Sequence, residues 1–240
     1  MPGTFLTARW LSLVLLNYSC PAALLAPLVP RGTELDRWDG EPVVSLVGFL
    51  FSDTRLLGVP VPGHRTFEEV NLRFYVRRTT ADGERRRAVV FVRELVPRRA
   101  IAAVARLVYN EPYLAVPMWH DIALDALEGG GVHYGWRHGA ADYGLSATVA
   151  GAARPLVTGS EAEFITEHYW GYTRQRDGGT LEYQVEHPPW TVWTAAQASF
   201  TGPAAGLYGD AFATVLSVPP RSAFVATGSA VTVRVGRRIA

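Results

Sequence analysis

Glu69-Val70-Asn71-Leu72-Arg73-Phe74-Tyr75-Val76 alternates without a break: the even positions are all apolar, and the odd ones carry a carboxylate, an amide, a guanidinium and a phenol. A period of two is the signature of a β-strand with chemically distinct faces. Two readings of the odd face stand side by side. It is the solvated side of a half-buried sheet, or, where the sheet closes on itself, the lining of an interior cavity. Alternation alone does not choose between them.

The neighbouring sequence repeats the theme. An apolar β run covers residues 43–51, the alternating one covers 67–77, and a valine-rich run covers 88–95, ahead of Pro97. Ile101, Val104, Ala105 and Val108 recur at helical spacing, which predicts a helix over 98–109 packed on a sheet. Residues 132–136 and 143–149 flank a short link and read as a hairpin. Asp177-Gly178-Gly179 marks a second hairpin between 170–175 and 180–187. Ser160 with Glu163 forms a capping box opening a short helix. Short helices are also expected at 21–28 and within 203–216, and terminal strands over 222–235.

About nine or ten strands and four helices result, mostly joined by tight turns. The expected fold is mainly β with flanking helices: an antiparallel, closed or nearly closed barrel or cone whose apolar face meets the helices. Proline and glycine are scattered rather than gathered into a linker, which predicts one domain over 1–240.

Composition excludes several functions. The 23 basic residues nearly balance 22 acidic ones, so no global field attracts nucleic acid or an acidic membrane. All 23 are arginine, and with no lysine there is neither a Schiff-base nor a phosphate-loop lysine. The single cysteine, Cys20, fits a reducing compartment. The run Trp10–Leu16 is apolar but has no basic region ahead of it and is broken by Asn17 and Tyr18, so it reads as a buried first element rather than a signal peptide. A cytoplasmic location follows as the expectation.

His120-Asp121 and His133/His138 lack the spacing and partners of a zinc site, and neither metal nor nucleotide cofactor has sequence support. Arg85-Arg86-Arg87 follows Asp82-Gly83 and reads as a solvated hairpin tip. His187 falls in phase with Leu181, Tyr183 and Val185, which puts it on their apolar face, as a base, a ligand-holding group or a core histidine ahead of Pro188. Trp190 is either a core aromatic or a platform for a flat ligand. Glu69 and Arg73 stand roughly 13 Å apart along the strand, too far for a direct pair. Asn71 and Tyr75 share their face.

Several segments carry a resemblance: Ala8-Arg9-Trp10, Leu16-Asn17-Tyr18, Leu28-Val29-Pro30, Glu34-Leu35-Asp36, Val44-Ser45-Leu46-Val47-Gly48-Phe49, and the run from His64-Arg65 through Phe67 to Val76. With them go Tyr109-Asn110-Glu111-Pro112-Tyr113, Phe164 to Tyr169, and Val185 to Trp190. Together, in this order, they resemble the YqjF-like family, domain of unknown function 2071, over nearly the whole chain. That family is similar in fold to acetoacetate decarboxylase, so the resemblance implies a β-cone enclosing a small-molecule site. Arg106, Tyr109 and Pro112 look like the decarboxylase segment ahead of its lysine pair, and Tyr113-Leu114 stand where the lysines would be. Glu69 looks like the strand carboxylate.

The expected ligand-binding set is Glu69, Asn71, Arg73, Tyr75, Arg106, Tyr113, His187 and Trp190, with Glu69, Tyr113 and His187 as candidates for catalysis. The partner expected is a small organic, anionic ligand, with no nucleic acid and no membrane; assembly into a homo-oligomer stays open. Two alternatives remain: a lyase or hydrolase using acid–base groups without a covalent amine, and a structural or protein-interaction module.

Overall fold

The alternating strand sits in the middle of a sheet that returns to itself. A computed structural model describes residues 3–60 and 62–239; Met1, whose amine is the one alternative to a lysine, lies outside the described residues. Phe67–Thr79 pairs on one side with Val43–Leu56 and on the other with Arg85–Val96. On the first side the sheet continues through Thr4–Ser19 to Ser222–Arg234. On the second it continues through Trp170–Arg174 to Thr180–Glu186. Val185 opposite Val233 and Glu186 opposite Thr232 then join the two ends. Seven strands thus form a hydrogen-bonded ring, antiparallel throughout except where Trp170 and Gly171 run parallel to Ala88 and Val89. A ring has no free edge along its circumference, which removes the usual liability of a long sheet.

The odd face of Phe67–Thr79 points inward. Glu69, Asn71, Arg73 and Tyr75 are all buried, together with Val47 and Phe49 from the adjoining strand Val43–Leu56 and Leu13 and Leu15 from Thr4–Ser19 beyond it. The even face is buried as well, but not against helices alone as expected. A second, four-stranded antiparallel sheet covers it, ordered Gln197–Thr201, Ala141–Ala150, Gly129–His138, Met118–Asp125. Its Tyr134, Trp136 and Leu145 join Val14, Leu16, Val44, Leu46, Leu72 and Phe74 in one core, to which the helix Asp210–Leu216 adds Phe212 and Leu216. The sheets meet so closely at Gly48 that a Cβ there would lie 2.8 Å from the Tyr134 ring.

Of the register shifts that interrupt the ring, two bear on its interior. In Thr4–Ser19 the register slips around Ser12, whose φ is 52°. Gly228 faces this region at φ 79°, where a Cβ would stand 1.9 Å from the Trp10 carbonyl oxygen. Tyr134 Oη donates to the Ser12 carbonyl at 2.9 Å, satisfying an acceptor the irregular ladder leaves over. The second bulge lies in Arg85–Val96: Leu72 is opposite Arg93 but Arg73 is opposite Phe91, so Val92 is the extra residue.

Two helices contribute to the interior of the ring. Glu161–Thr166, capped by Ser160 Oγ accepting from the Glu163 amide at 3.2 Å, buries Phe164 and Ile165 in the interior core. Arg99–Val108 lies elsewhere on the interior wall, contributing Ala100, Ile101, Val104 and Ala105. Its C-cap is Tyr109, and Asn110 beyond it, at a φ of 57°, turns the chain back into the sheet. Among the described residues, no helix is long and apolar enough to cross a membrane.

The arginine run corrects the hairpin-tip reading. Arg86 donates to Glu182 Oε1 at 2.7 Å and stacks 3.9 Å over the Trp170 ring, while Arg87 Nε reaches Asp36 at 3.0 Å. These guanidiniums leave solvent because the ring brings buried acids from distant strands beside them.

Candidate functional site

A cavity of about 230 Å³ lies inside the ring. Much of its wall is aromatic, with Trp10, Phe49, Phe51, Phe67 and Phe91. Its polar lining is Thr54, His64, Glu69, Asn71, Arg73, Glu94, Tyr109, Glu111, Tyr113, His168 and Tyr183.

The strand and its bulge explain how these groups converge. Glu69, Asn71 and Arg73 share the inner face by alternation. Asn71 is opposite Glu94, so their side chains are neighbours on that face. Regular alternation from Val89 and Phe91 would send Glu94 outward; the extra residue at Val92 turns it in. Glu94 in turn lies beside Tyr113, on the short parallel strand Tyr113–Ala115. The turn at Asn110 delivers Glu111 just ahead of it.

Three carboxyl groups therefore meet in one buried wall. Glu69 accepts from Asn71 Nδ2 at 3.1 Å and from Tyr113 Oη at 3.0 Å. Glu111 accepts from Tyr183 Oη at 2.9 Å and from the Thr173 hydroxyl. Burial pushes Glu69 up to about 7, the hydrogen bonds from Asn71 and Tyr113 and the charge of Arg73 opposing it. Burial likewise pushes Glu111 up to about 7, against its two hydroxyl partners. Glu94 is raised well above the carboxylate range by burial, then by the charges of Glu111 and Glu69. These carboxyls are poised to hold protons at neutral pH. No group of acids, histidines or cysteine among the described residues has a metal-holding arrangement.

Beside this wall sits a cation. Arg73 is only 9% exposed, donates from Nη2 to the Ile165 carbonyl at 3.1 Å, and lies 5.6 Å over the Tyr75 ring. Its Nε has no partner, and no carboxylate among the described residues pairs with it. His168 stacks on Tyr75 with centroids 4.6 Å apart, and neither ring nitrogen has a well-aligned partner. Burial, followed by the charges of Arg87 and Arg73, holds His168 well below its ordinary value, as a neutral imidazole.

Of the eight residues expected at the site, Glu69, Asn71, Arg73 and Tyr113 line the cavity. Tyr75 is buried behind it, its hydroxyl 2.6 Å from Ser45 Oγ. Three others are corrected. Arg106 is exposed, and its Nε donates to the Tyr113 carbonyl at 2.6 Å, bracing the helix against the strand. His187 lies past the end of Thr180–Glu186, where alternation no longer applies; it stacks on Trp190 at 4.2 Å, with Nδ1 3.0 Å from the Pro188 carbonyl. Trp190 is buried outside the lining, donating to Ser229 Oγ at 2.8 Å. Thr54, His64, Glu94, Tyr109, Glu111, His168 and Tyr183 are the polar cavity groups missing from the expected set. Glu111 and His168 lie within the segments that carry the family resemblance.

A ring-closed sheet with a buried polar wall and a second sheet on its back is the acetoacetate decarboxylase-like fold. The chain superimposes on acetoacetate decarboxylase from Legionella pneumophila with a TM-score of 0.70 at 17% identity, covering 100% of this chain and 88% of that one. An acetoacetate decarboxylase-like enzyme from Sphingomonas wittichii gives 0.66 at 14% identity, over 98% and 92%. The enduracididine biosynthesis enzyme MppR complexed with pyruvate gives 0.67 at 13% identity, over 100% and 91%. Within that fold class the sequence is more specific: residues 7–230 match the model of DUF2071, an uncharacterized conserved protein family, and the chain belongs to it. It is 26% identical over 190 residues to the uncharacterized protein YqjF of Bacillus subtilis, covering 78% of this chain and 74% of that protein.

Proposed function

We propose that this protein is a cytosolic binder of a small organic acid, taken into the ring cavity with its carboxylate against Arg73. The observation that carries the reading is the buried guanidinium at the cavity wall with no carboxylate among the described residues to pair with it. A buried unpaired charge is costly, and a ligand carboxylate offsets that cost with the planar, two-point geometry arginine favours. The aromatic remainder of the wall suits an apolar ligand body. Thermal-shift titration with small carboxylic acids and their primary amides tests this, since a ligand selective for the folded state raises its stability. Acids raise the melting temperature and amides do not, and Arg73→Met removes the difference. Equal shifts from acids and amides sink the proposal.

The carboxyl wall supports a second reading, non-covalent acid–base catalysis. Glu69 and Glu111, displaced to about 7, can accept and return protons at neutral pH. In that case a bound acid is consumed, as followed by NMR, and Glu69→Gln stops turnover while binding survives. Unchanged turnover in that variant, or none in the wild type, excludes it.

A further inference from the structure

Unpartnered acceptors point beyond a plain acid. Glu94 and Asn71 are each 2% exposed and stand opposite one another in register. Glu94 Oε2 and Asn71 Oδ1 both lack a hydrogen-bond donor. The donors close by are already used: Asn71 Nδ2 and Tyr113 Oη both serve Glu69. Buried polar atoms without partners are rare and costly, and a proton held on Glu94 is only one donor hydrogen for two oxygens, so the site is short of donors as well as of an anion.

The two needs adjoin. Asn71 and Arg73 are two residues apart on one strand face, roughly 7 Å between Cα atoms. Resting on the small-acid reading above, we propose that the ligand is an amino acid with an apolar side chain: its carboxylate meets Arg73, and its ammonium sits between Glu94 and Asn71. An ammonium brings three donors and a positive charge. It thereby answers the missing donors and the crowding of three carboxyls in one move. A zwitterion also adds no net charge to an apolar chamber. The aromatic lining takes the side chain.

One consequence follows for protons. The titratable and charged groups lining the chamber around the ammonium are Glu69 and Arg73 from the alternating strand, His64 ahead of it, Glu94 from the bulged strand, Tyr109, Glu111 and Tyr113 after the helix, and His168 and Tyr183. Carboxyls raised by burial ionise when an ammonium arrives, so binding releases protons near pH 7.

The test is calorimetry on the full chain with matched ligands on propyl, isobutyl and benzyl skeletons. Each skeleton is offered as the unsubstituted acid, the 2-hydroxy acid, the 2-oxo acid and the 2-amino acid. On at least one skeleton the amino acid binds about tenfold tighter than the other three, as expected when buried acceptors lose their donor. Glu94→Gln removes that advantage, bringing the amino acid to the affinity of the unsubstituted acid measured on the same variant, whereas Arg73→Met weakens both. Should Glu94→Gln fail to fold, wild-type titrations in buffers of different ionisation enthalpy decide, because only the amino acid releases protons. An unsubstituted, hydroxy or oxo acid binding as tightly as the amino acid overturns this inference and leaves the small-acid reading standing. If no acid of any kind binds, both fall.

Discussion

Tyr113 Oη donates to Glu69 Oε2 across 3.0 Å, tying the chain that follows the helix to the central strand of the ring. This bond holds negative charge on Glu69 that burial would otherwise suppress. Tyr113→Phe removes the donor and leaves the ring in place. The expected result is a further rise in the Glu69 pKa, read by carboxyl NMR titration, with a stability loss of about 1–2 kcal/mol. An unshifted Glu69 titration would show that the bond contributes nothing to the charge state.

Glu69 and Glu111 make stability fall with rising pH. Each has a folded-state pKa raised to about 7 from 4.5, so the folded chain binds more protons than the unfolded one between those values. The favourable contribution is complete below the unfolded pKa and is lost as pH rises through the folded one. The slope is at most about 1.4 kcal/mol per pH unit for each carboxyl. Urea midpoints between pH 4.5 and 8 should decline over this window, and Glu69→Gln should flatten part of the decline. A midpoint constant or rising across it would mean the carboxyls stay ionised.

Glu182 shows how the sheet hides polar groups on its outer surface too. Its carboxylate accepts from Arg78 at 3.1 Å, Arg86 at 2.7 Å, Arg237 at 2.9 Å and Tyr172 at 2.7 Å. Glu182→Ala removes the acceptor shared by three arginines and Tyr172, leaving Arg86 with Glu84 alone, and should cost about 1–3 kcal/mol, measured by chemical denaturation. Glu182→Gln keeps the shape and some acceptor capacity and should cost less. Equal losses would mean that shape, not charge, matters here.

These outcomes bear on what a sequence can show. The alternation of residues 69–76 was enough to find Glu69, Asn71 and Arg73 on one face, because the strand is regular where they stand. The closing of the ring was legible only as an expectation from short turns, since its last join, Val185 to Val233, spans distant strands. The bulge at Val92 reverses the parity that would point Glu94 outward, and nothing in the valine-rich run marks it. Glu111 and His168 lie outside strands, where no periodicity orients a side chain. His187 was misplaced for the converse reason, alternation carried one residue past the strand's end. The second sheet escaped in part because Met118–Asp125 leaves most of its side chains exposed or half-buried and has little apolar pattern.

The last prediction concerns the reaction that the fold's name suggests. Imine-forming decarboxylation needs a neutral amine that condenses with a ketone and yields an iminium able to accept the electrons released with carbon dioxide. This sequence contains no lysine, and Tyr113 and Leu114 occupy the segment resembling the lysine pair. A tyrosine hydroxyl cannot form an imine. Burial and the nearby carboxyls hold Tyr113 well above its ordinary value, so it remains a neutral hydrogen-bond donor. Arginine stays protonated at any ordinary pH and is a poor nucleophile, so Arg73 can orient a carboxylate but cannot attack a carbonyl. The N-terminal amine has a suitable ordinary pKa of about 7.7–8.0, which makes it the one group in the sequence able to form the adduct. Incubation with acetoacetate and borohydride, followed by intact-mass and peptide mapping, should therefore leave every internal residue unmodified. A reduced adduct within Tyr109–Leu114 would overturn the argument, and one on Met1 would identify the terminal amine as the reacting group.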